Sequence, residues 1–338
     1  MNNLLSNDVQ RGGVATEASE QGIAFFRYTV LPAVIALGYA TFLTRLPIDN
    51  FLDRANYFMY ARLSHSIENF YSYSLVSYLT NEPIWLMMNT TLYSMFSDET
   101  VIRLFIFIPA FVSAYLLGSK NKINIFLVLL GLIIPGIIQN YIVHIRQGVA
   151  ISIFMAGFFS KDNKIRYSLI ASAPFVHSAF FAITPLFFAI EITKRFDNLG
   201  VYVRFSIIAS IMAIVVFFMS TIMSNALVRQ AIEYQNIDVE FSGIGFIFWS
   251  AILILFLSEG RDFLENNMLQ ILVLMFYLMI YFIAAFSGRI LECVLIPIFI
   301  SGMTLTSWKR IIFMGAIALF AGQFYYSNRE LHWFGWGL

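Results

Sequence analysis

Between residues 23 and 326 lie nine apolar stretches: 23–44, 100–118, 123–142, 147–160, 204–224, 243–258, 268–286, 290–307 and 311–326. About 20 apolar residues match the ~30 Å hydrocarbon layer of a bilayer. Inside that layer every backbone N–H and C=O needs a partner within the protein, which leaves helices or a closed barrel. Continuous apolar runs, without strand alternation, select the helix. The expected fold is therefore all-α: a polytopic integral membrane protein with about 9–11 transmembrane helices plus re-entrant or broken helices and an external loop. Composition agrees, since charged residues make up 12% of the chain and mean hydropathy is +0.75, whereas soluble domains carry about a quarter charged residues.

The same numbers exclude several function classes. A formal net charge of +1 is not the basic face that nucleic acid requires. Cys293 is the single cysteine and lies in an apolar run, so no disulfide frame or thiolate metal site is expected. His65, His144, His177 and His332 are scattered without a helical His-x-x-x-His pair, and neither a metal nor another cofactor is expected. Residues 1–22 lack the basic start, apolar middle and cleavage site of a signal peptide and read as a cytoplasmic tail. Residues 23–326 read as one polytopic membrane domain with external loops at 46–82 and 225–242, and 327–338 as a short C-terminal tail.

Two segments are too short or too interrupted to cross cleanly. Residues 83–96 predict a re-entrant or interfacial helix, and 165–191, broken by Pro174 and His177, a hairpin of two arms meeting near the outer face. With those assignments the basic loops at Lys120-Asn121-Lys122, 161–166, Lys194-Arg195 and Lys309-Arg310 all face the cytoplasm, as the positive-inside rule asks. The loop at 259–267 falls on that side too. Arg146, His177, Arg289 and loop 46–82 fall on the other. A multi-pass protein of the bacterial cytoplasmic (inner) membrane, its site facing the periplasm or exterior, is the resulting expectation.

Arg146 is the residue that most needs an explanation. It lies in His144-Ile145-Arg146-Gln147 between two apolar stretches, and an arginine at membrane depth normally faces a protein interior or wet cavity and pairs with an anion. That anion is either a ligand or a structural acid. In the external loop Asp49, Asp53, Asn56, Tyr57 and Tyr60 stand at i, i+3 and i+4 spacings and predict one helical face. Carboxylates, an amide and phenols above a membrane suit a sugar, whose hydroxyls take polar contacts while its ring packs on aromatics. An interfacial amphipathic helix is the other reading. The tail residues Arg329 to Trp336 stack on glycan or anchor at the interface, and Arg229, Glu233, Asp238 and Glu240 mark the second external loop.

Asp53 followed by Tyr57, then Asn81-Glu82-Pro83 opening an apolar helix that includes Asn89, then Arg146-Gln147-Gly148-Val149-Ala150-Ile151, then Phe175-Val176-His177-Ser178-Ala179, resembles the EpsG family of exopolysaccharide and O-antigen proteins, which act as Wzy-type polymerases. The likeness covers about 48–190 in the expected order, with Arg289 in Ser287-Gly288-Arg289-Ile290 as a further aligned position. It implies a membrane glycosyltransferase, metal-independent, that joins glycan repeat units carried on undecaprenyl diphosphate. Its partners are then the lipid-linked oligosaccharide donor and acceptor, membrane lipid and a chain-length regulator protein. Arg146 and Arg289 would hold the departing diphosphate, arginine's planar fork meeting phosphate oxygens in pairs. Gln147 would orient Arg146. Tyr57, Arg54 and Arg62 would bind substrate from the loop. His177, Glu82 and Asp53 are the candidates for the base that takes the acceptor's proton, and the sequence leaves the three open. A lipid-linked glycan flippase and an O-antigen ligase are the rival readings. A flippase would spread its charges over both halves of the chain; a ligase would share the donor.

Overall fold

The computed structural model describes residues 22–119, 125–196, 198–217 and 243–337. Among them the chain is all helical apart from one isolated antiparallel bridge, Phe51 with Gly337. The N-terminal tail, the loop Lys120-Asn121-Lys122 and the second external loop with Arg229, Glu233, Asp238 and Glu240 lie outside the described residues.

The first long helix, α1 (Gly22–Arg45), leads into α2 (Arg54–Tyr71), α3 (Leu75–Thr80) and α4 (Pro83–Tyr93). The external loop is thus itself helical. Then follow α5 (Asp98–Ser119), α6 (Ile125–Leu132), α7 (Pro135–Ile142) and α8 (Ile145–Phe158). The hairpin arms are α9 (Asn163–Ser172) and α10 (Phe180–Thr193), joined by a turn through Pro174 and His177. The remainder comprises α11 (Val201–Phe217), α12 (Ile244–Leu257), α13 (Arg261–Asn266), α14 (Met268–Ile280), α15 (Ser287–Met303) and α16 (Ser307–Ser327).

Helix lengths refine the expected crossings. By length and apolar character, α1 with 24 residues and α5 with 22 are each long enough to cross, and α7 and α8 qualify only together, bent by 109°. Helices α10, α11, α12 and α14 are shorter, at 14, 17, 14 and 13 residues; at 1.5 Å per residue a 14-residue helix spans only ~21 Å. The stretch 123–142, expected as one crossing, is two helices. Ile134 is extended (ψ 126°) and Pro135 occupies the first turn of α7, where its missing N–H and fixed φ favour a helix start. The expected re-entrant segment is α4, whose Trp85 is fully buried against Tyr57, Tyr60 and Phe105.

The elbow between α7 and α8 carries His144 and Arg146, and one glycine makes it possible. A Cβ at Gly148 would collide with the carbonyl oxygen of Asn140 and press the Tyr141 ring at 3.0 Å. Arg54 ties the loop to this elbow: buried to 2% exposure, it donates from Nε to the Ile48 carbonyl (2.8 Å) and from Nη2 to the Ile142 carbonyl (2.5 Å). Its guanidinium completes two backbone carbonyls, while Nη1 has no partner among the described residues. Arg62 is solvent-exposed and 3.9 Å from Asp98.

Polar contacts gather at the two ends of the helices. One end holds Arg166 with Glu191, Arg204 with Glu265, and Lys309 with Glu259, so loop 259–267 sits with the basic loops. The opposite end holds Glu82, His144, Arg146 and His177. The last residues return there as well. Leu52 N–H donates to the Trp336 carbonyl (2.9 Å), and Trp336 is buried against Phe324 and Tyr325. Trp336 is therefore a packed residue against the start of the external loop, neither a bare interface anchor nor an open stacking platform.

Gly148→Val is expected to lower folding stability by about 1–3 kcal/mol, the usual range for an overfilled interior; an unchanged melting temperature in detergent would show that the elbow does not depend on the missing side chain. Arg54→Ala leaves two buried carbonyls without donors and is expected to cost about 1–3 kcal/mol for each, while Arg62→Ala stays within about 0.5 kcal/mol of wild type. Equal melting temperatures for the two variants would contradict that division.

Candidate functional site

Glu82 occupies the cap position of α4 with φ 60° and ψ 51°, and Asp53 caps α2 with φ 62° and ψ 0°. Left-handed backbone at a side-chain-bearing residue costs on the order of 1–3 kcal/mol and persists where the surroundings over-determine it. Here the strain turns both carboxylates toward the elbow.

The anion that Arg146 requires is Glu82. Arg146 Nη1 donates to Glu82 Oε2 at 2.6 Å and to the Tyr60 hydroxyl at 3.0 Å, and the guanidinium lies 5.2 Å above the Tyr60 ring. The Tyr57 hydroxyl accepts from the Arg146 backbone N–H (3.4 Å), and Trp85 packs edge-on against both tyrosines. Both side-chain contacts use Nη1, so Nη2 and Nε of Arg146 have no protein partner among the described residues, and 19% of the side chain is exposed. The other carboxylate oxygen, Oε1, meets His177 Nδ1 at 3.1 Å and accepts from the Ser178 backbone N–H at 3.3 Å. His177 is buried, with Nε2 unpartnered among the described residues. A carboxylate on Nδ1 fixes the tautomer that leaves Nε2 with its lone pair, the arrangement by which a buried acid orients a histidine base.

A second chain of contacts runs beside the first. Asp53 Oδ2 is 3.5 Å from His144 Nδ1, and His144 Nε2 is 2.9 Å from Gln139 Nε2. Gln147 departs from its expected role: its amide turns away from Arg146 and donates to the Arg289 carbonyl (2.9 Å) and toward Glu292 Oε2 (3.4 Å). It fixes α15 against α8. The Arg289 guanidinium has no ion pair among the described residues and lies within electrostatic reach of Asp53, His177 and Glu292.

The structure therefore brings Asp53, Tyr57, Glu82, Arg146, Gln147, His177 and Arg289 to one end of the helices; Arg54 stands beside them in a backbone clamp, 5.9 Å from the Tyr57 ring, and Arg62 lies on the surface. The single helical face expected for Asp49, Asp53, Asn56, Tyr57 and Tyr60 is divided. Asp49 sits in a separate 3-10 turn and Asp53 precedes α2; Asn56 is exposed, whereas Tyr57 and Tyr60 are buried. Tyr60, expected only on the loop's sugar-facing surface, contacts Arg146 directly, and Gln139 and Glu292 belong to the cluster although the sequence reading gave them no role there. Among the described residues no group of three His, Cys, Asp or Glu stands close enough to hold a metal ion.

The His144 imidazole holds the Asp53 carboxyl below its ordinary value of 3.8, against the opposing effect of partial burial, and the charges of Arg289 and Arg146 act in the same direction as His144. A depressed carboxylate adds stability above its unfolded pKa and loses it as pH falls through the folded one. The melting-temperature difference between wild type and Asp53→Asn is thus expected to be constant from about pH 5 to 7 and to shrink below about pH 4. A difference independent of pH down to the acid limit would show that the Asp53 charge contributes nothing.

No curated protein and no solved structure matches this chain. The family model described as EpsG family matches residues 33–335, which takes in the strained caps, the elbow, the hairpin turn and Arg289, and so extends well past the 48–190 region where the motifs are plainest. The chain belongs to the EpsG family, a family of Wzy-like polymerases.

Proposed function

We propose that the protein is a polysaccharide polymerase, a membrane glycosyltransferase that joins undecaprenyl-diphosphate-linked repeat units into O-antigen or exopolysaccharide at the external face of the cytoplasmic membrane. The observation that carries this reading is Arg289, a cation that closes no ion pair among the described residues, beside a network in which Glu82 is shared by Arg146 and His177.

Each part has a task. Arg289, with Nη2 and Nε of Arg146, receives the diphosphate of the donor lipid; fixed donors aimed where charge develops are usually the largest catalytic term, about 3–4 kcal/mol for one well-placed group. His177 Nε2 takes the proton of the acceptor hydroxyl. The acceptor oxygen bonds to the donor's anomeric carbon as the carbon–oxygen bond to the diphosphate breaks, and the electron pair leaves on the phosphate oxygen facing the arginines. Glu82 has both oxygens occupied and Asp53 is held by His144, so of the three base candidates His177 is the one with an unused polar atom. Glu82 and Asp53 are positioning residues. The residues of the candidate site gather at one end of the helices, which favours chemistry at a surface over passage through it, as a flippase requires.

Arg289→Ala removes a side chain that closes no ion pair among the described residues, so the protein is expected to accumulate normally. Its polymerisation rate is expected to fall by about two orders of magnitude or more, and gels of surface glycan should show single repeat units in place of a ladder. A wild-type ladder from Arg289→Ala would contradict the assignment.

A further inference from the structure

A cavity of about 210 Å³ lies between α7, α12, α14, α15 and α16, reaching Gly288, the residue before Arg289. Its polar wall consists of Glu292, Gln139 and the Tyr277 side chain, and its apolar wall includes the rings of Trp249, Phe320 and Phe324. Glu292 is the one acid in the apolar stretch 290–307, and its only polar side-chain partner among the described residues is the neutral Gln147 amide at 3.4 Å. A carboxylate in such surroundings costs several kcal/mol unless something completes its hydrogen bonds. Arg289 and His144 act on it only at electrostatic range, and no other described side chain hydrogen-bonds it. Gln147 Oε1 and Asn140 Oδ1, on side chains each 99% buried, have no partner, and the two amide nitrogens are already committed to the Arg289 and Glu292 carbonyls.

The cavity thus presents an under-satisfied carboxylate within a lining that also carries aromatic rings. That is the complement of a sugar ring, which brings several O–H donors and an apolar C–H face. A phosphate would bring further acceptors and a hydrocarbon chain no donors. The volume equals that of about seven water molecules at ~30 Å³ each, enough for one ring. We infer that this cavity is a saccharide subsite, in which Glu292 and Tyr277 hydrogen-bond hydroxyls of one non-reacting sugar of the repeat unit while Trp249 and Phe320 pack on its ring. The inference rests on the polymerase reading and deepens it: Gln147 bridges Glu292 and Arg289, so the subsite adjoins the diphosphate position and sets which repeat units are accepted.

The test uses purified full-length protein and the lipid-linked repeat units that accumulate in cells lacking it. Glu292→Gln keeps the shape and replaces an acceptor by a donor; it is expected to raise KM about tenfold or more, the effect of one lost charged hydrogen bond, with kcat within about threefold of wild type. Tyr277→Phe, which removes a single oxygen from the wall, is expected to raise KM by a smaller factor in the same direction and guards against misfolding of the first variant. With repeat units enzymatically trimmed of single sugars, one trimmed substrate should give the same KM with wild type and Glu292→Gln. A KM unchanged in both variants, a fall in kcat alone, or a KM effect that follows the length of the lipid chain and ignores the sugars would each overturn the inference while polymerisation by the wild type continued. Absence of polymer from the wild type would instead remove the polymerase reading.

Discussion

The interaction on which this architecture depends is the part-buried ion pair between Arg146 and the buried Glu82. An arginine at the elbow of a bent membrane segment is tolerable only with a counter-charge, and the counter-charge comes from a different part of the chain, 64 residues earlier. To deliver it, Glu82 adopts left-handed backbone at the start of α4, Tyr57 and Tyr60 turn inward under Trp85, and the hairpin turn places His177 on the remaining oxygen. Removing one partner of such a pair typically costs about 3–5 kcal/mol, because the other charge stays buried. The pair consequently joins three features that are separate in sequence: the helical loop, the elbow and the hairpin.

That pair also divides the labour among the charged groups. Glu82 neutralises one face of Arg146 and orients His177, yet the fork of Arg146 keeps two nitrogens without protein partners among the described residues, and Arg289 faces the same region unpaired. A site with one structural cation and one uncommitted cation suits a ligand whose negative charge grows during reaction. Both charges are present before the ligand arrives, so little reorganisation is needed when the bond breaks. The same logic explains the strained caps. Asp53 and Glu82 are held in costly conformations because each must reach a partner on α8 or its flanking elbow.

Much of this was legible in the chain. Apolar runs and charge content gave the helical membrane class, the basic loops gave the common end shared by 161–166, 194–195 and 309–310, and the isolated charge at Arg146 marked the site. What was not legible depended on direction. Arg54 and Arg62 look alike in sequence, but one turns inward to carbonyls of Ile48 and Ile142 and the other outward to solvent. Gln147 follows Arg146 directly, and its own position on the helix points it at α15. The break at Pro135 was hidden by the unbroken hydrophobicity around it. Glu292 offered the same signal as Arg146, one charge in an apolar stretch, and its meaning emerges only once Gln147, Asn140 and the aromatic wall surround it.

The most direct measurement of the central claim is a reaction containing only the purified protein in lipid and undecaprenyl-diphosphate-linked repeat units, run with and without a metal chelator. The account requires polymer and released undecaprenyl diphosphate in both reactions, with no other protein or cofactor added. Repeat units left unjoined, or moved across the bilayer without bond formation, would contradict it.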